Sequence, residues 1–186
     1  MKRKILSKLI EWKNKKNRKP LIVNGARQVG KTYILKEFGS HYYEKMAYVN
    51  CDKNKTLDKI FSQDYNISRI LLSLSAILHV NIEPENTLII FDEIQENPTV
   101  LNSLKYFCED ASQYHVAVAG SLLGISLHRD TSFPVGKVDM IKMYPMTFDE
   151  FLMAIDEQPL VDVLASKDFS IIDSLSVRLI DRLRQY

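Results

Sequence analysis

The chain has 186 residues, 46% hydrophobic and 26% charged, which excludes a disordered polymer and suits one α/β domain with a sizeable core plus an appendage. The net charge of +2 hides an asymmetry: residues 1–19 hold nine Lys/Arg against the single acid Glu11, a local charge of +8, so the remainder carries −6. The longest strongly apolar stretch, Ile70 to Val80, is broken by Ser73, Ser75 and His79 and is too short to span a membrane. No apolar leader core or small-residue cleavage site follows the basic start.

In chain order, Ile5, Leu6, Leu9, Ile10 and Trp12 fall on one helical stripe with lysines opposite. Residues 1–19 therefore read as a basic amphipathic helix packed on the core and ended by Pro20. The alternative is a basic arm that contacts nucleic acid. Held beside the second element, the helix is expected to lie near the phosphate loop and cover a bound base. Leu21-Ile22-Val23 is a short buried strand that enters a glycine-containing loop. Thr32 to Phe38 reads as helix, stopped at Gly39, and Met46 to Cys51 as a second strand. Ile67, Ile70, Leu71, Leu74, Ile77 and Leu78 have helical spacing. Leu88-Ile89-Ile90-Phe91 is apolar on both faces, as a central parallel strand is.

Asn97-Pro98 is an N-cap and first-turn signal for a helix through about Cys108. His115 to Ala119 reads as a fourth strand ending at Gly120-Ser121, and Val138 to Met143 as a fifth. Thr147 and Glu150 form a T-x-x-E capping box that starts a helix, and a further helical stretch runs from about Ile171 to Arg184. The alternation predicts an α/β fold: a parallel five-stranded sheet with helices on both faces, and a partial C-terminal helical extension. The expected divisions are 1–19, a core over 20–145 and an extension over 146–186. The two cysteines, Cys51 and Cys108, have no CxxC or Cys/His spacing and read as reduced thiols of a cytoplasmic protein.

The segment Gly25-Ala26-Arg27-Gln28-Val29-Gly30-Lys31-Thr32 fits G-x-x-x-x-G-K-[ST], between a buried strand and a helix. Gly25 and Gly30 would let backbone N–H groups turn inward around phosphate oxygens. Lys31 would reach the β- and γ-phosphates and Thr32 would ligate Mg²⁺. A lysine at a helix start opposes the helix dipole unless an anion binds there, which a plain glycine turn does not explain. Asp92-Glu93 ends an apolar strand: Asp92 has the position of a Mg²⁺ holder and Glu93 that of a general base. If the fourth strand lies between those of Gly25 and Asp92, Ser121 points at the γ-phosphate or the attacking water. Otherwise it is an ordinary turn or N-cap residue. Arg129 and Lys137 are either solvated cations or groups that act on a neighbouring subunit's nucleotide, which would make the protein a homo-oligomer.

These motifs, with Phe-Asp-Glu-Ile-Gln at 91–95, Ala-Gly-Ser-Leu-Leu-Gly at 119–124, Phe-Pro-Val-Gly-Lys-Val at 133–138 and Tyr-Pro-Met-Thr-Phe-Asp-Glu-Phe at 144–151, resemble the bacterial and archaeal AAA-type P-loop ATPases of the "ATP-binding protein" family. The resemblance implies ATP and Mg²⁺ as ligands. It makes Gly30, Lys31 and Thr32 nucleotide contacts, Asp92 and Glu93 the Walker B pair, and Ser121 a sensor-like residue. Members usually continue into a C-terminal domain of unknown function that would supply substrate or partner recognition, so the resemblance makes this chain either the ATPase half of a longer protein or a short member. Guanine recognition by N-K-x-D is not met, because Asn54-Lys55-Thr56 is followed by Leu57. A small-molecule kinase has no need of Glu93 beside Asp92. A nucleotide-binding module without turnover of its own remains the alternative to an ATPase.

Overall fold

The computed structural model describes residues 3–121 and 133–186. Five parallel strands, β1 (Leu21–Gly25), β2 (Lys45–Asn50), β3 (Thr87–Asp92), β4 (His115–Ser121) and β5 (Asp139–Met143), form one sheet in the order β2-β3-β4-β1-β5. The central strands β1, β3 and β4 are buried along nearly their whole length, and apolar between their ends, because both faces are covered. Side chains alternate across a strand. Ile22, Ile89, Phe91, Val116 and Val118 enter a core shared with residues of α3 (Lys55–Gln63), α4 (Ile67–Leu78) and α5 (Pro98–Asp110). Their neighbours Leu21, Val23, Leu88, Ile90, Ala117 and Ala119 are fully buried too. The opposite face is covered by α2 (Lys31–Tyr42), whose Gly39 meets Leu88. The sheet is thus the α/β arrangement the alternation predicts, with β4 between β1 and β3.

Several boundaries differ from the expectation. Gly39 does not stop α2, which runs on to Tyr42. A Cβ on Gly39 would lie 2.8 Å from Met46 Sδ, so this glycine serves close helix–sheet packing. Helix α1 (Ile5–Lys13) ends well before Pro20. There the chain folds back on itself: Trp12 Nε1 donates to Lys19 O at 2.8 Å and Arg18 Nη1 to Lys13 O at 3.1 Å. Helix α3 had no counterpart in the sequence reading. Asn54 caps it by accepting from Leu57 N at 3.2 Å, and Leu57, Ile60 and Phe61 are its buried stripe.

Leu9 and Trp12 of α1 are buried. Trp12 meets His115 edge-on at 6.0 Å, and the Tyr43 hydroxyl is 2.6 Å from His115 Nδ1. His115, Leu21 and Asp139 begin their strands, so this part of α1 lies at the amino edge of the sheet. The expected place beside the phosphate loop, which is at the carboxyl edge, is therefore not where the structure puts it. Lys13 bonds Tyr42 O, Lys15 bonds Asp139 (2.6 Å) and Lys19 bonds Gly136 O (2.6 Å), so these basic heads are tied to the protein's own surface. No helix among the described residues is long and apolar enough to cross a membrane.

By contacts the chain forms two compact units: Ser7–Tyr144, and the few residues before it together with Pro145–Tyr186. The second holds α6 (Phe148–Ala154), α7 (Gln158–Ser166), α8 (Phe169–Ser174) and α9 (Ser176–Gln185) around buried Leu152, Leu160 and Leu179. Glu150 accepts from the N-cap Thr147 N–H at 3.0 Å, as a capping box requires. Arg178 and Arg182 clamp Glu157, each at 2.7 Å. The single stretch expected from 171 to 184 is instead two helices that meet at Leu175, and α7 precedes them unforeseen.

Candidate functional site

A parallel sheet brings all its carboxyl ends to one edge, where connecting loops form a crevice. A cavity of about 680 Å³ opens there, within the range of small-ligand sites. It is lined by Arg27, Gln28 and Gly30 from the loop after β1, by Lys31 and Thr32 at the start of α2, by Glu93 after β3, and by Ser121 at the end of β4. Tyr33, Asn50, Asp52 and Glu96 complete it.

The loop has two left-handed residues, Gln28 (φ 63°) and Gly30 (φ 92°). Gly30 is also the N-cap of α2 and has no side chain to cap it. The first N–H groups of the helix thus lack an intrahelical or side-chain acceptor and face an anion-favouring position. Gly25 is explained differently from the expectation. It does not turn the chain; it is the last residue of β1, flanked in register by Ser121 and Met143. A Cβ there would sit 2.2 Å from Met143 O, so close strand approach demands glycine. Val29 packs inward, its Cγ2 3.4 Å from that same Cβ position.

Lys31 Nζ donates to Ala26 O at 2.6 Å and to Gly25 O at 3.2 Å, so its own loop holds the ammonium in place. Burial pushes its pKa down, and the carboxylates of Glu93 and Asp92 oppose that shift. Asp92 is only 5% exposed and sits behind the cavity wall. Its Oδ2 accepts from the Tyr48 hydroxyl and its Oδ1 from Glu93 N–H, both at 3.0 Å. Each carboxylate oxygen keeps a further lone pair. Burial raises the Tyr48 phenol to about 12, helped by this bond, so Tyr48 stays a donor. Glu93 has a left-handed backbone (φ 51°) and an exposed side chain whose Oε2 accepts from Gln95 Nε2. Gln95 Oε1 in turn accepts from Ser121 N–H at 3.2 Å.

The structure therefore brings Gly25 to Thr32, Asp92, Glu93 and Ser121 to one edge. Tyr48 and Gln95 were missed, although Gln95 stands in the quoted 91–95 motif; their bonds cross strands that are far apart in sequence. Lys137 pairs with Glu109 of α5 at 2.8 Å, and Arg129 lies outside the described residues. Among those residues no cluster of three or more His, Cys, Asp or Glu could hold a metal ion, and both cysteines are free. The donors for a magnesium ion would thus be mixed, a hydroxyl and one carboxylate, with phosphate and water oxygens completing the shell as is usual for Mg²⁺. No curated protein matches the chain. A family model described as AAA domain matches residues 17–152, which takes in all five strands and the whole cavity edge. The chain accordingly belongs to the AAA domain family, whose members are nucleotide-binding ATPase domains.

Proposed function

We propose that the cavity binds ATP with Mg²⁺, and that the chain hydrolyses it slowly and couples the nucleotide state to a protein partner. The observation that carries this reading is that Lys31, held on the Gly25 and Ala26 carbonyls, faces the same cavity as Glu93. The lining acids Asp52, Glu93 and Glu96 outnumber the bases Arg27 and Lys31, so a bare polyphosphate would be poorly matched and a divalent cation redresses the balance. Thr32 and Asp92 are the groups assigned to that ion, which when bound would neutralise phosphate charge. Lys31 and the uncapped N–H groups of α2 bind the phosphates. Glu93 takes the proton of the attacking water as general base. Ser121 is assigned a sensor-like contact at the end of β4. Residues 20–145 form the ATPase core in this reading, with 1–19 a basic segment that carries α1 and 146–186 a helical extension, the start of a lid or further domain. An arginine supplied in trans is worth about 10³–10⁵ in rate, so turnover by one copy alone should be slow.

Calorimetric titration with Mg-ATP and Mg-GTP tests binding. Lys31→Ala should lose most of the affinity, and an unchanged Kd would remove the phosphate-loop assignment. In single-turnover hydrolysis Glu93→Gln should keep ATP and lose turnover, whereas Asp92→Asn should weaken the Mg²⁺-dependent part of binding. Wild-type rates in Glu93→Gln would show that Glu93 is not the base.

A further inference from the structure

We propose that Gln95 is a positioning residue for Glu93, tying its carboxylate to the end of β4; this rests on the ATPase reading above. Gln95 belongs to the short 3-10 helix Ile94–Glu96 and is 5% exposed. A buried amide is costly unless both of its ends are bonded. Here its two ends go to different parts of the site. Nε2 donates to Glu93 Oε2, a charge-assisted bond, and Oε1 accepts from Ser121 N–H at 3.2 Å.

Glu93 needs such a hold. Its left-handed backbone is disfavoured for a side chain with a Cβ and persists only where its surroundings fix it. The N–H of Glu93 is bound by Asp92 Oδ1, and its carbonyl accepts from Glu96 N–H at 2.9 Å. The backbone is thus fixed, and the Gln95 bond adds direction to the side chain, anchoring one oxygen while the carboxylate stays at the cavity. Ser121 is paired in register with Gly25, the residue whose carbonyl also holds Lys31. A shift of the β4 end by a few tenths of an ångström would therefore lengthen the Gln95 bond and re-aim Glu93. Gln95 is buried and is not among the residues that line the cavity, so it links strand position to the base from behind the cavity wall.

The test uses the full chain, with Mg-ATP affinity by calorimetry and hydrolysis under single-turnover conditions. Gln95→Met keeps the length and removes the bonds to Glu93 and Ser121. Gln95→Glu keeps an acceptor for Ser121 N–H but sets a carboxylate against Glu93. Both should slow hydrolysis about tenfold or more with Kd within about threefold. The Gln95→Met loss should largely vanish when added to Glu93→Gln, because a residue that acts through Glu93 has nothing left to position. Wild-type turnover in Gln95→Met overturns the proposal. So does a rate loss that only follows a loss of ATP affinity or of urea stability, or one that adds in full to Glu93→Gln. If Glu93→Gln itself hydrolyses normally, the base assignment falls and takes this proposal with it. If only Gln95→Met is silent, the ATPase reading stands alone.

Discussion

Replacing Gly25 with alanine sets two effects of opposite sign against each other. Gly25 is not among the residues with positive φ, so alanine can adopt its backbone conformation. On that ground alone the change should stabilise by about 0.4–1 kcal/mol, through a less flexible unfolded chain. The new Cβ, however, would lie 2.2 Å from Met143 O and 3.2 Å from Met143 C. Carbon needs roughly another ångström from that oxygen, and the obstacle is backbone, so β5 must move away from β1. Overpacking costs about 1–3 kcal/mol, and each inter-strand hydrogen bond lost adds about 1 kcal/mol. Among the described residues β5 is an edge strand that pairs only with β1, so no second strand holds it in place. The net expectation is a loss of about 2–4 kcal/mol, a large share of the 5–15 kcal/mol typical of a domain. Urea unfolding followed by Trp12 emission measures it, as a lower midpoint at unchanged m. Gly136→Ala is the control: its φ is +73° with nothing within 4 Å, so only about 1 kcal/mol of backbone strain is expected. If Gly25→Ala is as stable as the wild type, the close approach of β5 to β1 is not what requires glycine there.

The remaining predictions concern titration. His115 is pushed down to about 3, by burial first and by Arg18 and Lys13 after it. Its proton is therefore bound more readily in the unfolded chain, and stability should fall as pH drops below about 6.5 towards 3. The Trp12 emission of the folded protein should be blue-shifted and flat between pH 5 and 8, whereas a step near pH 6.5 would mean His115 is not buried as described. The Cys51 thiol is pushed up to about 12, by burial first and then by Asp92, from an ordinary value of 9.0. In the native state it should resist a thiol reagent at pH 8 that labels the half-buried Cys108, and equal labelling rates would contradict its burial. Since unfolding lets Cys51 and Tyr48 ionise nearer 9 and 10, urea midpoints should decline as pH rises through 9–11. Cys51→Ser should flatten part of that slope.

The features legible in the sequence were those written in neighbouring residues. Leu88 to Phe91 announces a strand covered on both faces, Asn97-Pro98 a helix start, and the glycine-lysine-threonine string its loop, because each signal is complete within a few positions. Gly39 and Pro20 show how local signals mislead. A glycine after an apolar run reads equally as a helix stop or as a close-packing position, and only Met46 and Leu88, brought up by the sheet, decide between them. Pro20 reads as the end of a helix, yet the Trp12 indole reaching Lys19 O closes that helix earlier. Helix α3 was open to the same reasoning: Asn54 followed by Leu57, Ile60 and Phe61 is a cap and an apolar stripe. Its cap and first three residues, Asn54 to Leu57, are the stretch compared with a guanine motif. The bonds of Gln95 to Ser121 and of Tyr48 to Asp92 span 26 and 44 positions and depend on the strand order, which no local pattern encodes.

The two edges of the sheet do different work, and the difference follows from their chemistry. At the amino edge Trp12, Tyr43 and a neutral His115 pack ring against ring, and Lys15 and Lys19 N–H bind Asp139. Trp12 Nε1, His115 Nδ1 and both Asp139 oxygens are bound within the fold there, which helps to hold the strands in fixed register. At the carboxyl edge the left-handed Gln28 and Glu93 are strained, and the uncapped start of α2 with the Lys31 ammonium beside it costs free energy unless an anion answers it. The fold tolerates such strain only where a firm scaffold stands behind it. β1 joins the two edges, leaving the Asp139 contacts at one end and delivering Gly25 at the other. A disturbance of the register between β1 and β5 is thereby carried directly to the carbonyl that holds Lys31 and, through Ser121 and Gln95, to Glu93.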